Sequence, residues 1–291
     1  MFVATLICNP EQTGLSAALA EDLRAAWGGG GLRWLAPAEA VEFALEAMPG
    51  DEGPRWEALQ GQGVDLVVQR AAGRRKRLLL ADMDSTMIRQ ECIDELAQVA
   101  GVGAEVAAIT ARAMNGEIAF EAALAARVAL MGGLPEAVIG QVLRDRISYM
   151  PGGAALVATM KAHGARAVLV SGGFTAFAGR VGAALGFDET RANVLGVAEG
   201  RLTGQVLPPV LGRQAKLDAL EEITAGMGIT ADEVIAVGDG ANDLAMLRRA
   251  GTGVALHAKP AVAAQCRVRI NHADLSALLF LQGYARAEFA A

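Results

Sequence analysis

Aromatic side chains are sparse, with 3 Trp, 2 Tyr and 8 Phe among 291 residues. Cysteine and histidine are scarcer still, at three each. Cys8, Cys92 and Cys266 are scattered, odd in number and lack C-x-x-C spacing, which excludes a disulfide framework and a cysteine zinc knuckle. His163, His257 and His272 form no H-x-x-x-H pair, so no two imidazoles share a helical face and a bound metal would have to take oxygen. Long apolar runs are also missing. The longest uncharged stretch, residues 147–160, has 14 residues and contains Pro151, Gly152 and Gly153, short of a bilayer span. The first ten residues lack a basic n-region and a small-residue cleavage site, so a cytoplasmic protein is expected, with no membrane partner. Acids outnumber bases, 32 against 26, for a net charge of −6. That disfavours a nucleic-acid partner but not a pocket for one small anion.

What is present is apolar enough to fold: 53% of residues are hydrophobic and 20% charged, over a length that suggests two domains. Residues 1–72 read as a small α+β unit. Strands are expected at 2–7, 32–35 and 64–68, a helix at 16–27, further helical signals at 37–47 and a turn at 49–54. The basic run Arg74, Arg75, Lys76 and Arg77, with few aromatics nearby, reads as a solvated linker. From residue 73 to 291 short apolar strands at 78–81, 167–170, 234–237 and 253–256 alternate with helices, the pattern of an α/β doubly wound parallel sheet. About 85 residues separate the first two of these strands, far more than one crossover needs. Helices at 91–100, 104–114, 120–131 and 135–145, broken by Gly101, Gly103, Gly116, Gly132 and Gly133, predict a helical cap inserted at about 90–150. Residues 193–206, broken at Glu199 and Gly200, read as a hairpin, and 275–284 as an amphipathic helix covering the core or meeting a second copy in a homodimer.

In an open parallel sheet ligands sit beyond the carboxyl ends of the strands. The first strand here ends in Asp82-Met83-Asp84-Ser85-Thr86, the second in Ser171-Gly172-Gly173 and the third in Gly238-Asp239-Gly240-Ala241-Asn242-Asp243. Carboxylates at i and i+2 with Asp239 from another strand would repel one another in a low-dielectric cleft unless a cation joined them. Oxygen-only donors point to a hard ion, Mg²⁺.

These residues, in this order, resemble the phosphoserine phosphatases of the haloacid dehalogenase superfamily over about residues 77–272. The D-x-D-x-T motif is met by Asp82, Asp84 and Thr86, with Met83 where the family usually has Phe. Ser171 with Gly172, then Lys216, then Asp239 with Asn242 and Asp243 supply the remaining motifs. The resemblance implies a Rossmann-like core with a helical cap, preceded by an ACT-like, regulatory unit. It implies an activity as well: Mg²⁺-dependent hydrolysis of O-phosphoserine through an aspartyl phosphate. Asp82 would be the nucleophile and Asp84 the general acid and base. Asp82, the Asp84 carbonyl, Asp239 and Asp243 would hold the metal, and Ser171, Gly172, Lys216 and Asn242 the phosphoryl group. Glu91 would take the substrate ammonium, Arg127 its carboxylate, and Met114 and Phe120 would line the cap side of the pocket.

Each residue alone has a blander reading. D-x-D motifs are common on solvated turns, Lys216 reads as an exposed helix charge, Glu91 and Arg127 as surface charges, and Met114 and Phe120 as core. The ordered set decides. Two rivals share part of the pattern: a phosphatase or phosphotransferase acting on another small phosphomonoester, and a phospho-accepting switch without turnover. Glu91 and Arg127 argue against non-amino-acid substrates in the first, which leaves phosphohomoserine open, and Asp84 argues against the second.

Overall fold

The computed structural model describes residues 1–9, 11, 14–114 and 117–290. Two sheets organise it. The first is built from β1 (Phe2–Cys8), α1 (Ala17–Ala26), β2 (Arg33–Ala36), β3 (Ala40–Leu45), α2 (Glu52–Gln60) and β4 (Val64–Arg70). Its strands run antiparallel in the order β2-β3-β1-β4, a split βαβ arrangement. Strand alternation gives this sheet two apolar faces. Leu6, Val41, Phe43 and Leu66 pack under the two helices with Leu23 and Leu59, while Ile7, Leu35, Ala40 and Val67 join the core of the rest of the chain.

Two expectations fail here. Residues 37–47 carry helix-forming Ala, Glu and Leu, yet 40–45 form β3, the strand between β2 and β1. Burial of Ala40, Val41, Glu42 and Phe43 outweighs intrinsic propensity. The turn expected at 49–54 holds the start of α2 instead, because Pro54 lies in a first turn, where its missing N–H costs nothing.

The second unit follows as β5 (Leu78–Ala81), α3 (Cys92–Ala100), α4 (Gly103–Met114), α5 (Phe120–Ala129), α6 (Ala137–Asp145), α7 (Gly153–Ala162), β6 (Arg166–Phe174), α8 (Thr175–Leu185), β7 (Glu189–Ala198) and β8 (Arg201–Leu207). It ends with α9 (Arg213–Met227), β9 (Val234–Gly238), α10 (Leu244–Arg249), β10 (Thr252–Leu256), α11 (Pro260–Ala263), β11 (Val268–Ile270) and α12 (Ala277–Leu281). The seven strands lie in the order β11-β10-β9-β5-β6-β7-β8, parallel except for the β7–β8 hairpin. The four residues of β5 are fully buried, as expected for a central parallel strand covered on both faces. Because β5 lies between β9 and β6, chain order reverses at its carboxyl end and opens a crevice there. The cap helices α3 to α6 are inserted directly after this point. Gly101, at φ +75°, ends α3 in the left-handed conformation that glycine adopts freely; Gly103 begins α4, and Gly116 lies outside the described residues.

The basic run is not a free linker. Arg74 donates to Glu42 at 2.5 Å, Arg75 lies over the Tyr284 ring, and Lys76 Nζ donates to the Asp232 carbonyl at 2.7 Å. Nor is 275–284 an amphipathic helix. Only 277–281 form a turn of helix, and all five residues are buried, since β1 and α7 pack against it.

Candidate active site

Three strand ends meet at the crevice. Asp82 follows β5 and is tied to the neighbouring strand by its N–H, which donates to Val237 O at 3.0 Å. Its carboxylate is nearly buried: Oδ1 accepts from Met83 N at 2.7 Å and Oδ2 meets Lys216 Nζ at 2.7 Å. Lys216 comes from the first turns of α9 and is buried, a position that an aliphatic ammonium occupies only when paired. Its second partner is Asp243 Oδ1, at 2.5 Å. Burial works against the ammonium, but Asp243 and Asp82 more than offset it and raise its pKa. The exposed helix charge suggested by Lys216 alone is thus excluded.

Asp243 is fully buried, with its second oxygen accepting from Gly240 N at 2.9 Å. A Cβ at Gly238 would collide with this buried carboxylate, so glycine is needed there for the loop to fold back so closely. Asp239 is half-buried, and its Oδ1 accepts from Thr86 Oγ1 at 3.0 Å. Burial and the nearby Asp243 push its pKa up to about 6. Burial and Asp243 also hold Asp82 well above the usual carboxylate range, against the pull of Lys216. Ligand atoms of Asp82, Asp239 and Asp243 all lie within 4.8 Å of one another. Three carboxylates against one ammonium leave excess negative charge in a desolvated cleft, and all the donors are oxygen. The set fits a small, hard divalent cation and does not suit zinc, which favours nitrogen and sulfur.

Asp84 takes a different environment. Its Oδ1 accepts the N–H of Cys92, at the start of α3, at 3.2 Å. Burial and the neighbouring Glu91 raise its pKa to about 7, so it exchanges protons near neutrality. On the neighbouring strand β6, Ser171 Oγ accepts from Gly173 N at 2.9 Å, and a Cβ at Gly173 would sit 2.8 Å from Asp84 Oδ2 and 3.1 Å from Ser171 Oγ. Asp84, Ser171 and Gly173 therefore share one wall.

The cap supplies the opposite side. Phe120, at the start of α5, leans over the Gly172 backbone, with Cζ 3.5 Å from where a Cβ would stand. Glu91 precedes α3 and accepts Ser85 Oγ at 2.7 Å; Ser85 is held at φ +53°, a costly conformation for a residue with a side chain. Arg127 donates to Ala123 O at 3.3 Å and to Thr110 Oγ1 at 3.4 Å. Burial lowers its pKa, and Asp94 and Glu91 act in the opposite sense. Met114 ends α4, and its side chain lies outside the described residues.

Three contributors carry little signal in the sequence. The Cys92 N–H is a backbone donor and has no sequence signature. Thr110 looks like an ordinary helix residue. Asn193, within β7, is fully buried, and its amide donates to Gly172 O at 2.9 Å and Leu211 O at 3.2 Å while accepting from Leu211 N at 2.7 Å. A lone Asn within the apolar stretch 192–198 is the hint that the sequence offers of that brace.

A family model for haloacid dehalogenase-like hydrolases matches residues 79–248. The phosphoserine phosphatase of Haemophilus influenzae is 46% identical over 204 residues, which cover 70% of this chain. The chain spans 65% of that relative's length, under two thirds. A haloacid dehalogenase family hydrolase from Salmonella enterica serovar Typhi superposes with a TM-score of 0.87 at 29% identity, covering 97% of this chain and 98% of the other. A substrate-bound phosphoserine phosphatase complex superposes with a TM-score of 0.66 at 38% identity, over 71% of this chain and 98% of that one. Motifs in sequence order, a capped parallel sheet and a family match across more than half the residues agree: the chain belongs to the haloacid dehalogenase-like hydrolases.

Proposed function

We propose that this chain hydrolyses O-phosphoserine to serine and phosphate through an aspartyl phosphate on Asp82, with Mg²⁺ as cofactor. The observation that carries the reading is the pairing of one buried carboxylate clamped by Lys216, Asp82, with a second, Asp84, whose pKa is about 7. Asp82, the Asp84 backbone carbonyl and Asp239 would hold Mg²⁺, with Asp243 behind them. When bound, the ion supplies charge neutralisation and polarises the phosphoryl oxygens.

Asp82 attacks phosphorus in line, forming an acyl phosphate as the bond from phosphorus to the serine oxygen breaks. Asp84 gives its proton to that oxygen. It then takes a proton from the water that attacks the acyl phosphate, which releases phosphate and restores the Asp82 carboxylate. Lys216 and Ser171 face the phosphoryl oxygens, Gly172 lets the backbone approach, and Asn242 completes the cradle. Glu91 and Arg127 read the two ends of the amino acid, and Phe120 closes the apolar side, the role that the family motif also gives to position 114. Among the described residues, none of the side chains assigned here to catalysis, metal or substrate comes from residues 1–72, and the role given to that unit is regulatory. The thiols of Cys92 and Cys266 are in keeping with a reducing, cytoplasmic setting.

Phosphate release from L-phosphoserine tests the proposal. The wild type should turn over only with Mg²⁺, and Asp82→Asn should lose activity by about 10⁴-fold or more. Arg127→Ala should weaken hydrolysis of phosphoserine far more than of glycerol phosphate; equal losses would show that the amino-acid end is not read.

A further inference from the structure

Asp65 lies on β4, in the first sheet, and is fully buried. A carboxylate in such a place is costly unless its oxygens are filled. Here they are filled by the backbone of the other unit: Asn271 N donates to Oδ1 at 2.8 Å, and His272 N and Ala273 N donate to Oδ2 at 3.0 and 2.9 Å. Gln60 fixes the same turn from α2, accepting Asn271 Nδ2 at 2.7 Å, and His257 Nε2 bonds Ala273 O at 2.9 Å. The turn is held from both units.

Beyond the turn lies the cap hinge. The chain leaves the core for the cap through residues 85–91 and returns through 146–152, and the two crossings pair. Arg89 N donates to Ser148 O at 3.0 Å, Met150 N to Met87 O at 2.9 Å, and Ile88 bridges Tyr149. Leu275 N, two residues past the Asp65 contacts, donates to Pro151 O at 3.1 Å. Gly152 is pressed so closely on 274–276 that a Cβ there would lie 2.8 Å from Asp274 Oδ1 and collide with Ser276 N. At its other end the hinge reaches the catalytic loop, since Met83 O accepts from Met87 N at 2.8 Å and Ile88 N at 3.0 Å. An unbroken series of hydrogen bonds and packed backbone thus runs from β4 to the residue between Asp82 and Asp84.

We propose that Asp65 is a positioning residue of the cap hinge: by anchoring the 271–275 turn it fixes where the returning crossing sits, making the amino-terminal unit part of the frame that sets cap closure. The functional half of this inference rests on the phosphoserine reading; the structural half does not. Amide hydrogen exchange of the full chain, without substrate, tests the structural half. In Asp65→Asn, which keeps the side-chain shape but turns a donor toward the three N–H groups, the Met150, Leu275 and Met87 amides should exchange about tenfold faster or more. Amides of the β7–β8 hairpin should keep their wild-type rates. Acceleration confined to 271–273, with Met150 and Met87 unchanged, would overturn the proposal. Should Asp65→Asn also lose protection in the hairpin, Gln60→Ala, which removes one bond to the same turn, decides by the same criterion.

The catalytic readout is a split. KM for phosphoserine should rise in Asp65→Asn, while kcat/KM for para-nitrophenyl phosphate, which offers the cap no ammonium or carboxylate, stays within about twofold. Equal losses on both substrates would mean a general structural role and overturn the assignment. A wild type inactive on phosphoserine would sink the functional reading yet leave the exchange result standing.

Discussion

Thr86 donates the only side-chain hydrogen bond that Asp239 receives among the described residues, at 3.0 Å, and is itself fully buried. Outer partners of this kind orient metal-binding carboxylates, and losing one typically weakens binding about 10- to 100-fold. Thr86→Val keeps the shape and removes the hydroxyl, so Mg²⁺ affinity measured by calorimetry should fall by that factor while the fold is kept; unchanged affinity would place Asp239 outside the metal site. The same carboxylates give a pH dependence whose sign can be worked out. Asp239 at about 6 and Asp84 at about 7 lie above the ordinary 3.8, and Asp82 shifts the same way. The native chain therefore binds more protons than the unfolded chain between about pH 4 and 7, and the contribution of these groups to stability is lost as pH rises through that window. Lys216, also raised, loses its contribution only at pH values well above this window. Mg²⁺ should relieve the repulsion that grows as the acids ionise. The rise in Tm on replacing EDTA with Mg²⁺ should then be larger at pH 8 than at pH 5, and an equal rise at both would count against the cluster as the binding site.

Among the elements, Asn193 on β7 shows how a strand and a distant helix are held in register. It joins Gly172, beside Ser171, to Leu211, just before the helix that carries Lys216. Asn193→Ala would leave partly buried backbone groups unpaired at both places, with an expected cost of about 1–3 kcal/mol in denaturant unfolding and a fall in kcat as Ser171 and Lys216 drift apart. Loss of stability with kcat intact would reduce Asn193 to a fold residue. The strands that end in the proposed site residues were legible because short, wholly apolar runs followed by acids and glycines have few other uses in a parallel sheet. The cap helices were legible through their period and their glycine breaks. β3 was not: its Ala, Glu and Leu favour a helix, and only pairing on both sides with β2 and β1, with buried Glu42 bonded to Arg33 and Arg74, makes a strand of them. The site followed the same division. Asp82, Asp84, Ser171, Lys216 and Asp239 stand in ordered motifs, whereas Asn193 and the Cys92 N–H act through contacts that local sequence does not encode.

At the scale of the whole molecule, residues 71–77 read in sequence as a solvated joint between two independent units, and the structure makes them part of a broad junction. Gln69 donates to Leu281 O at 2.7 Å, Arg33 to Gly283 O at 3.2 Å and Arg267 to Val68 O at 3.2 Å, while Arg286 pairs with Glu39. Under these polar contacts Ile7, Leu35, Ala36, Ala40 and Val67 belong to the same apolar core as Leu278, Leu279, Phe280 and Leu281. A five-residue helix buried on all sides cannot be stable by propensity; it persists because a sheet from the other unit covers it. Cutting the chain before Arg74 would therefore uncover a run of apolar side chains instead of releasing a self-contained enzyme. A fragment of residues 74–291 should have a Tm lower by several degrees, bind a hydrophobic dye that the full chain does not, and associate at concentrations where the full chain stays soluble. Restoring residues 1–72 in trans should suppress dye binding. A fragment as stable and as free of dye binding as the full chain would mean that the junction contributes nothing to the fold, and that the first unit could move independently of the cap it is argued to hold.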